Sequence, residues 1–218
     1  IVPVLPQARR GSNKPLRSLG FDDGIREEQS LESLAKLRPY FEKPDGVVTV
    51  GNACGITDGA GALVVTTADR ARDLGLKSLA RLKAWAWAGC DPARMGLGPV
   101  YATAKVLDAS GVSLADIGAV EINEAFAAQV IACQRAFESA DFASDHLGRS
   151  GAIGALDPKK TNVNGGAVAL GHPVGATGAR LLLSAAHELE VGDHELTLAT
   201  LCIGGGQGGA VLLERISS

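Results

Sequence analysis

At 218 residues with 46% apolar side chains the chain is long enough to bury a core, and length alone leaves open one large domain or two small ones. A balance of 24 acidic against 21 basic residues gives a net charge of −3, which offers no general reason to expect nucleic-acid binding. No run approaches about 18 apolar residues, so no membrane-spanning helix is expected. The four cysteines, at 54, 90, 133 and 202, lack CxxC or Cys/His ligand spacing, so neither a zinc site nor a disulfide framework is indicated. The opening IVPVLPQARR lacks the charged start and apolar centre of a signal peptide, and a reduced, cytoplasmic chain is expected.

Residues 1–46 are polar and broken by Pro3, Pro6, Pro15, Pro39 and Pro44. One short amphipathic helix is predicted in SLESLAKL, with Leu31, Leu34 and Leu37 on its apolar side and Ser30 as N-cap. Arg9, Arg10, Lys14, Arg17 and Arg26 make this end locally basic, which on the residues alone reads as a solvated surface. Val47–Val50 predicts a strand, Ala62–Thr66 a second, and Thr67 a cap for the helix near ADRARDLGL. Cys54 stands among Gly and Ala near a possible helix start, a setting that can lower a thiol pKa and so make a nucleophile.

Residues 78–89 alternate, with Leu79, Arg81, Lys83, Trp85 and Trp87 on one face and small residues on the other, the pattern of a strand. The tryptophans suit adenine stacking or packing equally well. Cys90 reads as a small buried group. Pro99 opens a helix that Gly111 ends. Ala119–Ile122 is the next strand, and Asn123 is predicted to cap a helix whose buried face is Phe126, Val130, Cys133 and Phe137. Glu124 is either a site carboxylate or a first-turn acid favoured by the helix dipole. Residues 138–160 show no clear element. Asn162–Arg180, NVNGGAVALGHPVGATGAR, reads as a short strand, a glycine turn presenting His172, and a helix beyond Pro173. Leu196–Leu201 and Gly209–Arg215 are strands whose short link makes them antiparallel, with Cys202 at the turn.

Strands alternating with helices and closed by a hairpin predict an α/β layered domain with a mixed sheet. Asn123, His172 and Cys202 all follow strands, the region where sites gather in such sheets. The blocks Glu121–Phe126 (EINEAF), Gly171–Pro173 (GHP) and Cys202–Gly206 (CIGGG), preceded by Gly51–Leu63 (GNACGITDGAGAL), resemble in identity and order the C-terminal half of a thiolase. That resemblance covers nearly the whole chain. It implies a thiolase-like fold with a mixed five-stranded sheet. Residues 1–46 would be the remainder of the loop domain, 47–77 the last strand and helix of the N-terminal domain, and 78–218 the C-terminal domain.

The resemblance also implies an acyltransferase that cleaves 3-ketoacyl-CoA with CoA or condenses acetyl-CoA, with coenzyme A thioesters as substrates and no cofactor or metal. His172, Asn123, Cys202 and Gly204 would be catalytic. His172 would activate the nucleophile and, with Asn123, hold an oxyanion. Cys202 would be the acid/base, and the Gly204 N–H would complete a second oxyanion hole. Arg26 would meet a CoA phosphate, where a guanidinium's forked donors are suited, with Ser33 and Phe41 beside the nucleotide. Val50, Ala53, Cys54, Ala125 and Phe126 would line the acyl-CoA channel, Cys54 taking the place of a serine common in the family. The sequence has no initiator Met, and the family's nucleophilic cysteine belongs to the first half. The isolated chain is therefore expected to be inactive without that half, in the same polypeptide or a separate chain, and the assembly to be a homo-dimer or tetramer. A non-catalytic acyl-CoA-binding module is the alternative. A ketoacyl synthase fits less well, because that class places a histidine where Cys202 stands, and no glycine motif here has dinucleotide-binding spacing.

Overall fold

The computed structural model describes residues 1–5, 11 and 17–216. Its helices are α1 (Leu31–Ala35), α2 (Ala68–Asp73), α3 (Gly98–Ser110), α4 (Ala127–Glu138), α5 (Ala140–Leu147), α6 (Ala167–Leu170) and α7 (Thr177–Val191). Its strands are β1 (Arg81–Gly89), β2 (Ala119–Ile122), β3 (Leu196–Ile203) and β4 (Gln207–Glu214). The strands form one mixed sheet in the order β1-β4-β3-β2. Only β2 and β3 run parallel, while β3–β4 and β4–β1 are antiparallel. Among the described residues no helix is long and apolar enough to cross a membrane.

Each face of the sheet is covered by helix. On one side α3 lies over β1 and β4, and Val100, Val106, Ile122, Cys133, Phe137, Leu198 and Leu212 form the larger core. On the other side Leu181, Ala185 and Leu189 of α7 pack on Ala199 and Leu213. The thin residues of β3 permit this close seating, and the Thr197 hydroxyl donates to the Ala185 carbonyl at 2.9 Å to fix it. The helices at 31–35 and 68–73 carry the expected caps, Ser30 and Thr67 each accepting a backbone N–H from three residues on.

Four expectations are corrected. The sheet has four strands among the described residues, not five. The strand expected at the start of the Asn162 stretch shrinks to one parallel bridge between Thr161 and Val120. Val47–Val50 and Ala62–Thr66 are extended or turn backbone without strand pairing, and Val64 is 87% exposed. A strand exists through its neighbour's ladder, and among the described residues these runs have no strand beside them. Asn123 is not a cap, because α4 begins at Ala127 with Phe126 at the N-cap position. Finally, 138–160 is not without structure, since α5 is capped by Ser139, closed by Gly148 in the left-handed region, and anchored by buried Ala143. Arg9, Arg10 and Lys14 lie outside the described residues.

Phe137 is fully buried between α4 and the sheet. Phe137→Ala is expected to lower the unfolding free energy by about 3–5 kcal/mol, read by urea titration.

Candidate functional site

The carboxyl ends of β2 and β3 point the same way because the two strands are parallel, paired through Ile122 and Thr200. Asn123 is the first residue beyond that pair, and its N–H still donates to the Thr200 carbonyl at 3.0 Å. Cys202 lies two residues beyond Thr200, inside β3 opposite Gly208 rather than in the turn. The parallel ladder therefore brings the backbone of both candidates to one end of the sheet. Gly204 is exposed in the turn that joins β3 to β4.

His172 is brought to the same end by the loop between α6 and α7. Its backbone N–H donates to the Gly55 carbonyl at 2.9 Å. Its Nδ1 is 2.7 Å from the Thr177 hydroxyl at the start of α7, and that hydroxyl donates to the Pro173 carbonyl at 3.1 Å. A hydroxyl has one proton, so with that proton on Pro173 the imidazole carries its own on Nδ1. Nε2 is then a lone pair, and it faces the Asn123 amide nitrogen at 3.4 Å. Burial, and secondarily the positive charge of Arg180, holds the His172 pKa below its ordinary value. Asn123 is fully buried and its Oδ1 has no hydrogen-bond partner among the described residues, which leaves one strong acceptor unused. A neutral imidazole lone pair beside a rigid amide can take a proton and orient a polar atom.

A crossing segment locks these loops together. Ala53 pairs with Phe126, Cys54 N–H donates to the Ala125 carbonyl at 3.1 Å, and Ala127 N–H donates to the Asn52 carbonyl at 2.8 Å. Ala125 is buried and Phe126, Ala53 and Cys54 are half-buried along this seam. Gly171 has φ +94 and lies against Thr57, so a side chain there would meet both strain and collision. A cavity of about 370 Å³ opens between residues 57–61 and 173–176, beside His172.

The remaining candidates lie apart from this end. Ser33 is exposed on α1 and its Oγ accepts from Ser30 at 2.9 Å. Phe41 is 53% exposed with its ring edge-on to Tyr40 at 4.9 Å, and Val50 is 71% exposed. Arg26 is exposed, two residues after Gly24, which approaches the Ala169 carbonyl of α6. These side chains are open to a ligand.

The family model for the thiolase C-terminal domain matches residues 76–215, and that for the thiolase N-terminal domain matches residues 1–69. This chain belongs to the thiolase family. It is 44% identical over 215 residues to a 3-ketoacyl-CoA thiolase of Photobacterium profundum, covering 98% of this chain and 51% of that one. It is 48% identical over 196 residues to an acetyl-CoA acetyltransferase of Escherichia coli, covering 90% and 45%. The crystal structure of human mitochondrial 3-ketoacyl-CoA thiolase in complex with CoA superposes with a TM-score of 0.82 at 41% identity, covering 92% of this chain and 46% of that one. The chain thus spans about half the length of the relatives it matches, and the layered α/β thiolase fold is shared.

Within this thiolase fold, sequence reasoning missed the residues that hold the site. Asn162, at φ +48, uses its side-chain amide as if it were strand backbone. It accepts from Ile122 N–H at 2.8 Å and donates to the Ile122 carbonyl at 2.9 Å. It also donates to Glu124 at 2.8 Å, and the second Glu124 oxygen accepts the Val168 N–H at 3.1 Å. Glu124 is therefore a brace for the glycine loop and not a first-turn acid, and it lies so close over Gly166 that a side chain there would collide with its carboxylate. The signal available was an Asn before Val-Asn-Gly-Gly, a residue type tolerant of positive φ. Thr177, five residues past His172, carried no such signal.

Burial raises all four thiols, Cys133 to about 12 and Cys54, Cys90 and Cys202 by less. None is a ready thiolate at neutral pH, Cys54 among them despite its Gly and Ala surroundings. Glu121 is 2% exposed, and burial foremost, with Glu188 and Glu124, raises its pKa from 4.5 to about 7 although Arg180 opposes the rise. Between those values the unfolded chain has released this proton while the folded chain retains it. Stability should therefore fall by roughly 3 kcal/mol as pH rises from 4.5 to 7 and level off above, a slope absent from Glu121→Gln. Urea unfolding of both proteins at pH 5 and pH 8 measures it.

Proposed function

We propose that this chain provides the acid–base half of a thiolase active site, for cleavage of 3-ketoacyl-CoA by CoA or the reverse condensation of acetyl-CoA. The observation that carries the reading is the pairing of the His172 Nε2 lone pair with buried Asn123 at 3.4 Å, at the end of a parallel strand pair whose other member carries Cys202. The nucleophile would be a cysteine from the other thiolase half, as the family resemblance implies. His172 Nε2 takes that cysteine's proton as its sulfur attacks the 3-keto carbon. The resulting imidazolium N–H and the Asn123 amide then face the oxyanion. As the bond between C2 and C3 breaks, C2 takes the Cys202 proton, with the Gly204 N–H on the thioester oxygen. The Cys202 thiolate next takes the proton of incoming CoA, whose sulfur takes the acyl group from the nucleophile, and the released nucleophile sulfur recovers its proton from His172. A high thiol pKa suits a group that gives its proton to a carbanion and recovers one from a thiol.

The CoA moiety would run from this end across Ala53, Cys54, Ala125 and Phe126 to Val50, and on to Ser33, Phe41 and Arg26 with its phosphates. Arg26 and α6 lie on the same side of the molecule through the Gly24–Ala169 approach, which supports that path. The working unit would contain the other thiolase half, assembled as a dimer or tetramer.

The test is thiolysis of acetoacetyl-CoA by the chain alone and mixed with the complementary half of a thiolase. No turnover is expected alone. Activity is expected on mixing, and it should fall at least about 100-fold in His172→Asn and in Cys202→Ser. Binding of acetoacetyl-CoA with no turnover in the reconstituted protein would leave a binding module and overturn the reading.

A further inference from the structure

Beneath the contact between His172 and Asn123 lies a second layer of charge that the proposed chemistry does not use. On β2, Glu121 is two residues before Asn123 and so shares its face of the strand. On α7, Arg180 is three residues after Thr177, the residue that holds His172 Nδ1, and so shares its face of the helix. The two rows face each other, and Arg180 Nη1 lies 3.7 Å from Glu121 Oε2. That separation exceeds a hydrogen bond. Glu121 Oε2 and Arg180 Nε and Nη2 are all buried without hydrogen-bond partners among the described residues. A pair placed for stability would be bidentate and satisfied, because burying charge without such bonds costs more than it returns. This one is neither, while it sits directly under the imidazole.

We propose that Arg180 is a positioning residue for the His172 chemistry, its buried charge acting on the imidazole from the face of α7 that it shares with Thr177, with Glu121 as its counter-group. The inference rests on the reading of His172 as the base. The charged and titratable groups about the pair are Arg180 and Glu188 on α7, Glu121 on β2 and Glu124 beyond it, with Cys202 at the end of β3 and Cys54 and Asp58 in the segment crossing the loop. Glu188 is engaged by the Asn164 amide at 2.6 Å, and Glu124 by Asn162 and Val168, so neither is free to pair with Arg180 as Glu121 is. As pH falls, Glu121 protonates in place, Arg180 loses the counter-charge that faces it, and the imidazolium becomes harder to form. Loss of packing would loosen the loop whichever partner was changed. Loss of charge acts with a sign, and that distinguishes the two.

The experiment is an NMR pH titration of the His172 ring proton in the 218-residue chain, assigned by its disappearance in His172→Asn. It reads the imidazole without any turnover, so it stands apart from the thiolysis assay. Arg180→Met should raise the His172 midpoint, Arg180→Lys should keep it near the starting value, and Glu121→Gln should leave it equal or lower. If Arg180→Met does not fold, Arg180→Gln, which keeps hydrogen-bonding groups for Glu121, is expected to give the same rise. An unmoved midpoint on removing the Arg180 charge, or an equal rise in Glu121→Gln, would overturn the proposal. A shifted midpoint together with a failed thiolysis assay would leave the charge pair standing and remove the reaction assigned to His172.

Discussion

The parallel pairing of β2 with β3 is the constraint on which the site depends. Parallel strands end on the same side, so the residues that follow Ile122 and Thr200 must emerge together. The pairing spans only four residue pairs and lies at the sheet edge, which would leave its outer side open. Thr161 bridges that side at Val120, and the Asn162 side chain supplies the next two bonds to Ile122 in place of further strand. The same amide holds Glu124, and Glu124 holds the loop that carries His172. Edge protection and site assembly are thus one hydrogen-bonded structure.

Electrostatics follows from that placement. A site at the end of buried strands has little water near it, so burial itself sets the protonation states. It keeps His172 neutral and Cys202 a thiol, and it leaves Glu121 able to hold a proton near neutrality. In the proposed reaction a neutral base and a protonated thiol divide the proton transfers between them. The same burial denies Cys54 the low pKa that its glycine-rich setting suggested, which separates proximity to a site from reactivity in it.

Much of the architecture was legible in residue patterns. Alternation gave β1, the Pro99 and Gly111 boundaries gave α3, and the short glycine link gave the β3–β4 hairpin, because each is a local signal. What failed was set by distant partners. Asn123 resembles a cap, yet Ala125 and Phe126 pair with Ala53 and Cys54, and the helix starts only after that crossing. Val47–Val50 and Ala62–Thr66 are apolar enough for strands, but an apolar run becomes one only where a ladder receives it. The fifth strand failed for the opposite reason, since a side chain did the work of backbone. In the site, the motif residues were readable by type and order, whereas Thr177, Asn162 and the Glu121–Arg180 pair act through geometry that no spacing in the sequence announces.

The central claim is that one thioester-binding site spans the ends of β2 and β3 and the His172 loop. A titration of the isotopically labelled chain with acetyl-CoA, followed by backbone amide shifts, tests it most directly. Asn123, His172, Cys202 and Gly204 should shift together along one binding curve, with Cys54 and Phe126 following it. Shifts confined to residues away from these loops, or separate curves for His172 and Cys202, would contradict a single shared site.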